Sequence, residues 1–278
     1  MRKYLLFVLA LSLLAAVGAG ADPGTANVPS AVAWQGPTMW QAEARLYRGG
    51  NNTLALGAVT RLAERTDLTV WYTHLNGDSH GDIAGALRES LWSGLSLELK
   101  QELKDEGART KIALLPALEW CWRQPKGTNA ATGASAKMKR MVPSLAVPVQ
   151  WPLREGSVVL CPRVIFFDRN LPDSTGGTTR GFGTMFSLGA GVRYPAGRGT
   201  FIGDLARPFS GDNAVDEDTG IVARKTVWSA GWETPLGSGG DTVVSVYATN
   251  AAGPSLATSM IGTPGNGVGL GVRLGHTF

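Results

Sequence analysis

Apolar and polar residues alternate along most of this chain, most clearly in its last twelve residues, GVGLGVRLGHTF. Every second residue from Val268 to Phe278 carries a bulky and mostly apolar side chain, whereas the residues between them are mainly glycine. A period of two predicts a β-strand with one apolar face. That face includes the final aromatic ring, so an apolar environment must receive it, either a protein core or a lipid bilayer.

Similar alternation predicts twelve strands and no helix of useful length. In the segment 109–122 the even-numbered residues are mostly apolar, and the odd-numbered ones include Glu119. Pro143 and Pro148 fall inside one predicted strand, and each removes a backbone donor, so bulges are expected there. The predicted strands lie at roughly 38–48, 53–63, 67–75, 91–103, 109–122, 138–151, 157–168, 181–194, 199–207, 220–234, 241–250 and 266–278.

The connections between these strands sort into a short set and a long set. Those after the even-numbered strands are short, and three of them, WPLREGS, YPAGRGT and TPLGSGGDT, share a proline-led turn with glycine. Those after the odd-numbered strands are long, except for the first, GGNN. Short turns at one rim and long loops at the other are typical of an outer-membrane barrel, whereas a β-sandwich has no reason to segregate loop lengths. The long connections are 76–90, 123–137, 169–180, 208–219 and 251–265.

Aromatic residues gather at the ends of the predicted strands. Such placement predicts two belts, because aromatic rings favour the boundaries between water and lipid. The belt on the short-turn side contains Trp40, Trp151, Tyr194, Phe201, Trp232 and Phe278, and the belt on the long-loop side contains Trp120, Trp122, Phe166 and Phe182.

The chain begins with a pattern typical of export. In MRKYLLFVLALSLLAAVGAGAD, Arg2 and Lys3 precede an apolar run that ends in small residues. The pattern predicts a secretory signal peptide over residues 1–21, with cleavage near Ala21. A transmembrane anchor is disfavoured, because the run is shorter than the roughly 20 residues that a helix needs to span a bilayer.

The signal peptide, the terminal strand and the loop layout together resemble the Gram-negative outer-membrane β-barrel class, in which an alternating last strand ends in phenylalanine. The resemblance implies an all-β fold, a single antiparallel transmembrane barrel of about 12 strands over residues 38–278. It implies short periplasmic turns, long extracellular loops and location in the bacterial outer membrane. It also implies that Phe278 is an assembly signal read by the barrel assembly machinery, with outer-membrane lipid as a further partner. No motif identifies a specific family.

The face opposite the apolar one carries charges of both signs, with basic residues in excess. The functional interpretation is a porin-like channel for passive passage of small polar solutes, with a weak preference for anions. A closed interior of salt bridges is an equal alternative, because twelve strands fall between filled eight-stranded and open sixteen-stranded barrels. The candidate pore-lining residues are Glu43, Arg45, Arg61, Glu98, Lys100, Glu119, Arg140, Arg163, Arg193, Lys225, Glu233 and Arg273, with Glu102, Lys111 and Arg123 on the same face.

The inner face of the last strand is rich in glycine, which leaves volume for water or for another segment of the chain. Residues 22–37, DPGTANVPSAVAWQGP, directly precede the first strand, which should pair with the last. This segment either folds inward as a plug or hangs in the periplasm.

Other functional classes find little support. The net charge of +4 includes Arg2 and Lys3, and the chain has no lysine run, so nucleic acid is not expected as a partner. The loop residues Asp78, His80 and Asp82 could hold a metal, but a solvated loop is favoured, and no cofactor motif is present.

A lipid-modifying outer-membrane enzyme stays an alternative, as does a closed structural or export-associated barrel. An enzyme needs a serine and a histidine on one face at matching height, and the predicted strands do not yield such a pair, so no enzymatic activity is expected. Cys121 and Cys161 fall at different heights of the predicted barrel, so a disulfide between them is not expected.

Overall fold

Twelve antiparallel strands form the wall of a closed barrel in the computed structural model of this chain. The structure describes residues 24–47, 52–76, 92–103, 109–123, 126–128, 134–137, 141–215, 222–237, 241–263 and 267–278. The strands are β1 Met39–Tyr47, β2 Asn52–Ala63, β3 Thr66–Asn76, β4 Trp92–Glu102, β5 Lys111–Arg123, β6 in two pieces, Met141–Ala146 and Val149–Pro152, β7 Ser157–Phe166, β8 Thr184–Ala196, β9 Gly199–Pro208, β10 Val227–Leu236, β11 Thr242–Thr249 and β12 Gly269–Thr277. The predicted signal peptide at 1–21 and the loop with Asp78, His80 and Asp82 lie outside the described residues.

The barrel closes because its first and last strands pair. β1 and β12 run antiparallel from the pair Met39 with Thr277 to the pair Tyr47 with Gly269. Every other strand pairs with its neighbours in sequence. Closure leaves no open row of backbone N–H and C=O groups, which is the condition for a sheet to sit in hydrocarbon. The predicted all-β fold, a single antiparallel barrel, is confirmed.

Short and long connections lie at opposite rims of the barrel. One rim carries the turns at 64–65, 153–156 and 197–198, and we call it the turn rim. The other carries the connections 167–183 and 250–268, and we call it the loop rim. The predicted segregation of connection lengths is therefore observed.

Strand β6 is interrupted at Val147 and Pro148, where a bulge was expected. The backbone at the interruption still bonds to both neighbouring strands. Val147 N donates to Pro162 O on β7 at 3.0 Å, and Pro148 O accepts from Ala113 N on β5 at 3.1 Å. At Pro143, in contrast, the register with β5 continues unbroken.

The outer face of the wall is apolar and the inner face is not. Leu97, Leu118, Phe186, Leu188 and Leu270 project outward, and each is more than a third exposed. A soluble protein rarely exposes a continuous apolar band around its whole circumference, so this face suits lipid. No helix among the described residues is long and apolar enough to cross a membrane.

Exposed aromatic rings lie at both rims, as the sequence predicted, with one exception. Trp40, Trp232 and Phe278 are exposed at the turn rim, and Trp120 and Trp122 are exposed at the loop rim.

The exception is Phe182, whose assignment to the outer belt was wrong. Phe182 is buried inside the barrel and packs edge-on against Phe167, with ring centroids 5.4 Å apart. The reason is local: β8 begins only at Thr184, and Gly183 at φ +74° turns the chain, so the alternation of β8 does not extend back to Phe182.

The glycines on the inner face of β12 are covered by aromatic rings from the neighbouring strands. The Tyr47 ring lies against Gly269, its register partner on β1, and the Tyr247 ring lies against Gly271, its register partner on β11. From the sequence, either water or another segment of the chain was expected to occupy the space beside these glycines. In the structure, aromatic side chains of the wall occupy part of that space.

Both cysteines have free thiols. The pairs Ile112 with Val149 and Val149 with Leu160 place Cys161 level with Ala113. Cys121 lies eight residues further along β5, about 26 Å away at ~3.3 Å per residue.

Gly271→Ala is expected to destabilise the folded barrel, because a Cβ at this position would overlap the buried Tyr247 ring. Overpacking of this kind costs about 1–3 kcal/mol. Gly275→Ala is the matched control on the same face of β12, since its Cβ would meet only the flexible Met39 side chain, with Sδ at 3.2 Å. Urea unfolding of the refolded proteins in detergent measures the difference, and equal midpoints for the two variants would contradict the expectation.

Candidate functional site in the barrel interior

Ion pairs connect neighbouring strands across the inner wall. Glu43 on β1 accepts from Arg45 Nε at 2.6 Å and from Arg273 Nε on β12 at 2.5 Å. Lys100 Nζ on β4 lies 3.6 Å from Asp67 Oδ2 on β3. Glu43 with Arg273 and Asp67 with Lys100 are also direct register partners, so the charges face one another across adjacent strands.

Two further pairs lie nearer the turn rim. Lys111 Nζ on β5 is 3.1 Å from Glu102 Oε1 on β4. Arg193 on β8 pairs with Glu233 on β10 across the intervening strand, and Ser245 Oγ donates to Glu233 Oε2 at 3.1 Å. Most of the inner charge is therefore neutralised locally.

Most of the candidate pore-lining residues lie on the inner face, but not all. Arg61 is exposed at the turn rim, where its Nε donates to Ala63 O at 3.2 Å. Lys225 precedes β10 and so lies outside the wall strands, and Arg140 lies outside the described residues. Those that face the interior are Glu43, Arg45, Glu98, Lys100, Glu119, Arg163, Arg193, Glu233 and Arg273.

Two buried inner carboxylates, Asp67 and Asp204, were missed by the sequence analysis. Each lies at one of the alternate positions that face the interior in its strand. The period of two could therefore have identified both residues from the sequence. Arg61 belongs to β2 but is exposed at the turn rim, Lys225 precedes β10, and the described inner face carries nearly equal numbers of carboxylates and cations. Its carboxylates are Glu43, Asp67, Glu98, Glu102, Glu119, Asp204 and Glu233, and its cations are Arg45, Lys100, Lys111, Arg163, Arg193 and Arg273.

Residues 24–38, the N-terminal segment, lie inside the barrel and bond to many of its strands. Ser30 Oγ and Ala31 N donate to Gln150 Oε1 on β6, at 2.8 and 3.0 Å. Trp34 N donates to Asp67 Oδ2 on β3 at 2.6 Å. Arg193 on β8 donates to the Gly24 carbonyl at 2.6 Å.

Asn27 makes the densest set of these contacts. Its backbone N and its Nδ2 donate to the two carboxylate oxygens of Asp204 on β9, at 3.0 and 2.9 Å. Its Oδ1 accepts from Arg45 on β1 at 3.1 Å, and its carbonyl accepts from Arg163 on β7 at 3.2 Å. Nδ2 also reaches Thr249 Oγ1 on β11 at 3.5 Å. One small residue thus joins four strands of the wall.

Two glycines on β8 make room for this segment. A Cβ at Gly189 would lie 3.0 Å from Val28 Cγ2, and a Cβ at Gly191 would lie 3.2 Å from Thr25 Cγ2. Their missing side chains leave a shallow seat on the inner wall.

Residues 250–263 of the connection between β11 and β12 also fold into the barrel. Ser255 Oγ donates to Glu119 Oε2 at 2.6 Å, and Leu256 N donates to Glu98 Oε1 at 2.8 Å. Ala251 and Ala252 offer their carbonyls to Tyr47 and Thr53, respectively. We call this stretch the inward loop.

Apolar contacts complete the filling. Near the loop rim, Met260 and Ile261 of the inward loop share a buried cluster with Ile165 and Met185 of the wall. Deeper inside, Leu256 and Val28 share another cluster. A cavity of about 80 Å³ persists between the N-terminal segment, the inward loop and the β1–β5 side of the wall.

A serine–histidine pair is present in the wall, although the predicted strands yielded none. His74 Nδ1 on β3 lies 2.7 Å from Ser93 Oγ on β4. Ser93 is buried, which prevents a substrate from reaching its hydroxyl. Thr242 Oγ1 and His276 Nδ1 form a similar cross-strand pair at 2.9 Å near the turn rim. Cross-strand hydrogen bonding explains both pairs.

Comparison with known proteins shows likeness in fold. No family model matches the chain, and no curated protein matches it in sequence. An outer membrane channel from Pseudomonas putida F1 aligns with a TM-score of 0.57 at 14% identity, covering 94% of this chain and all of that one (100%). The NanC porin aligns with a TM-score of 0.55 at 9% identity, covering 86% of this chain and 98% of that one. The barrel therefore has the fold of outer-membrane channels, without a specific family.

Asn27→Ala is expected to loosen the N-terminal segment, because Asp204 and Arg45 each lose a buried partner. The loss of hydrogen bonds to charged groups should raise amide hydrogen exchange in residues 24–38 by about 10- to 100-fold. The matched control is Gln35→Ala, whose amide bonds to carbonyls at the exposed rim. Exchange measured by mass spectrometry should be unchanged in the control, and equal protection in both variants would contradict the role of Asn27.

Proposed function

We propose that this chain is a porin-like channel of the bacterial outer membrane for passive passage of small polar solutes, anions among them. The observation that carries the proposal is the closed barrel with an apolar outer face and a charged inner face. An outward apolar band suits lipid, whereas a charged interior suits water and polar solutes. The fold shared with outer-membrane channels adds support.

The proposed topology places the turn rim in the periplasm and the loop rim outside the cell. It includes export by the signal peptide, cleavage near Ala21, contact of the outer face with outer-membrane lipid, and insertion by the barrel assembly machinery. The inner-face charges named above are the proposed pore-lining residues.

The filled interior corresponds, in this proposal, to the closed state of the channel. The N-terminal segment occupies the centre of the barrel and directly precedes β1, so it acts as a plug that is tethered at one end. Many of its contacts are hydrogen bonds to polar wall residues, which water can replace when the segment leaves, and its apolar contacts with the wall are made by Ala26, Val28 and Trp34. Passage requires that the segment moves out of the barrel.

A closed structural barrel is the competing function, and a specific observation favours it. Wall carboxylates accept hydrogen bonds from the backbone of the inward loop, as Glu98 does from Leu256 N. A buried apolar cluster also closes the barrel near the loop rim. In that case the ion pairs and the two inward segments are the packed core of a barrel without a transport path.

Deletion of residues 24–36 is expected to open the barrel. In planar bilayers the refolded full chain should show rare, brief conductance, whereas the deletion variant should conduct more often and for longer, because only the inward loop remains in the interior. Gln35→Ala is the control and should behave as the full chain. Absence of conductance from both the full chain and the deletion variant would favour the closed structural barrel.

Deletion of Phe278 is expected to lower the amount of folded protein in the outer membrane. Phe278 follows β12, is 76% exposed, and packs edge-on against His276 with centroids 4.7 Å apart. Trp232→Ala removes a different exposed ring at the turn rim and controls for loss of the aromatic belt. Heat-modifiable mobility in membrane fractions measures the folded barrel. An equal loss in both variants would show a belt effect and not an assembly signal.

A further inference from the structure

Arg163 differs from the other inner-wall arginines in its partners. Arg45 and Arg273 share Glu43, and Arg193 pairs with Glu233. Arg163 has no carboxylate within ion-pair distance in the described part of the chain, although it is only 3% exposed. It is a buried cation without a counter-charge.

Neutral oxygens of the two inward segments hold this guanidinium. Its Nη1 donates to Ser259 Oγ of the inward loop at 3.1 Å, and its Nη2 donates to the Asn27 carbonyl at 3.2 Å. Arg163 is therefore the wall residue on which the N-terminal segment and the inward loop meet. If these segments move, Arg163 loses both of its hydrogen-bond acceptors.

Unused hydrogen-bonding capacity lies next to these contacts. Among the described residues, Arg163 Nε has no acceptor, and Ser187 Oγ on β8 has no partner either. Ser187 is the register partner of Arg163 and is also buried. Gly189 leaves space for the guanidinium, since a Cβ there would lie 2.7 Å from Nη2.

Among the described inner carboxylates, Asp67 Oδ1 also has no hydrogen-bond partner, but Asp67 already has a counter-charge, because Lys100 Nζ lies 3.6 Å from its Oδ2. Asp204 is also without an ion-pair partner, but Asn27 and Ser229 already donate to both of its oxygens. Arg163 therefore combines an unused hydrogen-bond donor with the absence of a counter-charge among the described residues.

We propose that Arg163 is the anion-recognition residue of the barrel interior and that it binds the carboxylate of a small organic acid. The carboxylate takes the positions of the Asn27 carbonyl and the Ser259 hydroxyl, with Nε and Ser187 Oγ as additional donors. Burying a cation is costly without an opposite charge, and bonds from a guanidinium to a carboxylate are stronger than those to neutral oxygens. The planar guanidinium also matches a carboxylate with two parallel bonds.

The inner-wall arginines differ in what an incoming anion must displace. An anion at Arg193 or Arg273 must compete with a glutamate that is already bound, whereas an anion at Arg163 competes only with neutral groups. Binding also withdraws one contact from the N-terminal segment and one from the inward loop, so the ligand favours release of both. The transport part of this inference rests on the proposed channel function, whereas the binding part does not.

Gluconate is the probe for the experiment, and sorbitol is the uncharged counterpart with the same carbon chain. Calorimetric titration of the refolded full chain in detergent should show gluconate binding and no sorbitol binding. Arg163→Gln should weaken gluconate binding by about tenfold or more. Arg163→Lys keeps the charge and should restore part of it. The double variant Arg180→Gln with Asp212→Asn removes an ion pair of the loop-rim connections, outside the barrel interior, without a change of net charge, and it should bind as the original chain does.

Bilayer recordings supply the second measurement. The reversal potential in a potassium gluconate gradient, recorded in the background of the 24–36 deletion, should be shifted toward cation selectivity by Arg163→Gln and unchanged by the double variant. Unaltered gluconate affinity in Arg163→Gln, or an equal loss in the double variant, would overturn the assignment. Gluconate binding that depends on Arg163 in a barrel that never conducts would keep the assignment and reject the channel function.

Discussion

Closure of the sheet is the constraint on which the rest of this structure depends. A strand that spans hydrocarbon cannot leave its backbone groups unpaired, so β12 must return to β1. Once the circle is closed, each strand has one side toward lipid and one side toward the interior. The twelve strands enclose a space that wall side chains such as Tyr47 and Tyr247 fill only in part. The polar inner face and the two inward segments both follow from that geometry.

The interior combines two kinds of contact with different reach. Ion pairs such as Glu43 with Arg273 join adjacent strands, and they neutralise the wall whether or not anything else is present. Contacts of the N-terminal segment and the inward loop reach across the barrel and depend on where those segments lie. A wall that is locally neutral can lose its filling without exposing many unpaired charges, which suits a barrel whose interior changes state.

The sequence predicted the wall well because a period of two is a local signal. It predicted which face Glu43, Glu98 and Arg163 occupy, and it predicted the interruption at Pro148. It failed where a strand begins later than the pattern suggested: Gly183 turns the chain between Phe182 and the start of β8, and β10 begins after Lys225. The sequence could not decide whether residues 22–37 fill the barrel interior or lie in the periplasm. Asn27 belongs to no periodic pattern, and its partners are scattered along the chain.

The separation along the chain between Asn27 and its partners constrains the order of folding. Asp204 and Thr249 lie 177 and 222 residues beyond Asn27. The seat for the N-terminal segment is complete only when β9 and β11 have joined the wall, and contacts of such high sequence separation form late. The ion pair of Glu43 with Arg273, which spans 230 residues, likewise requires that β12 has returned to β1. Closure of the wall and complete seating of the N-terminal segment therefore depend on the same C-terminal strands.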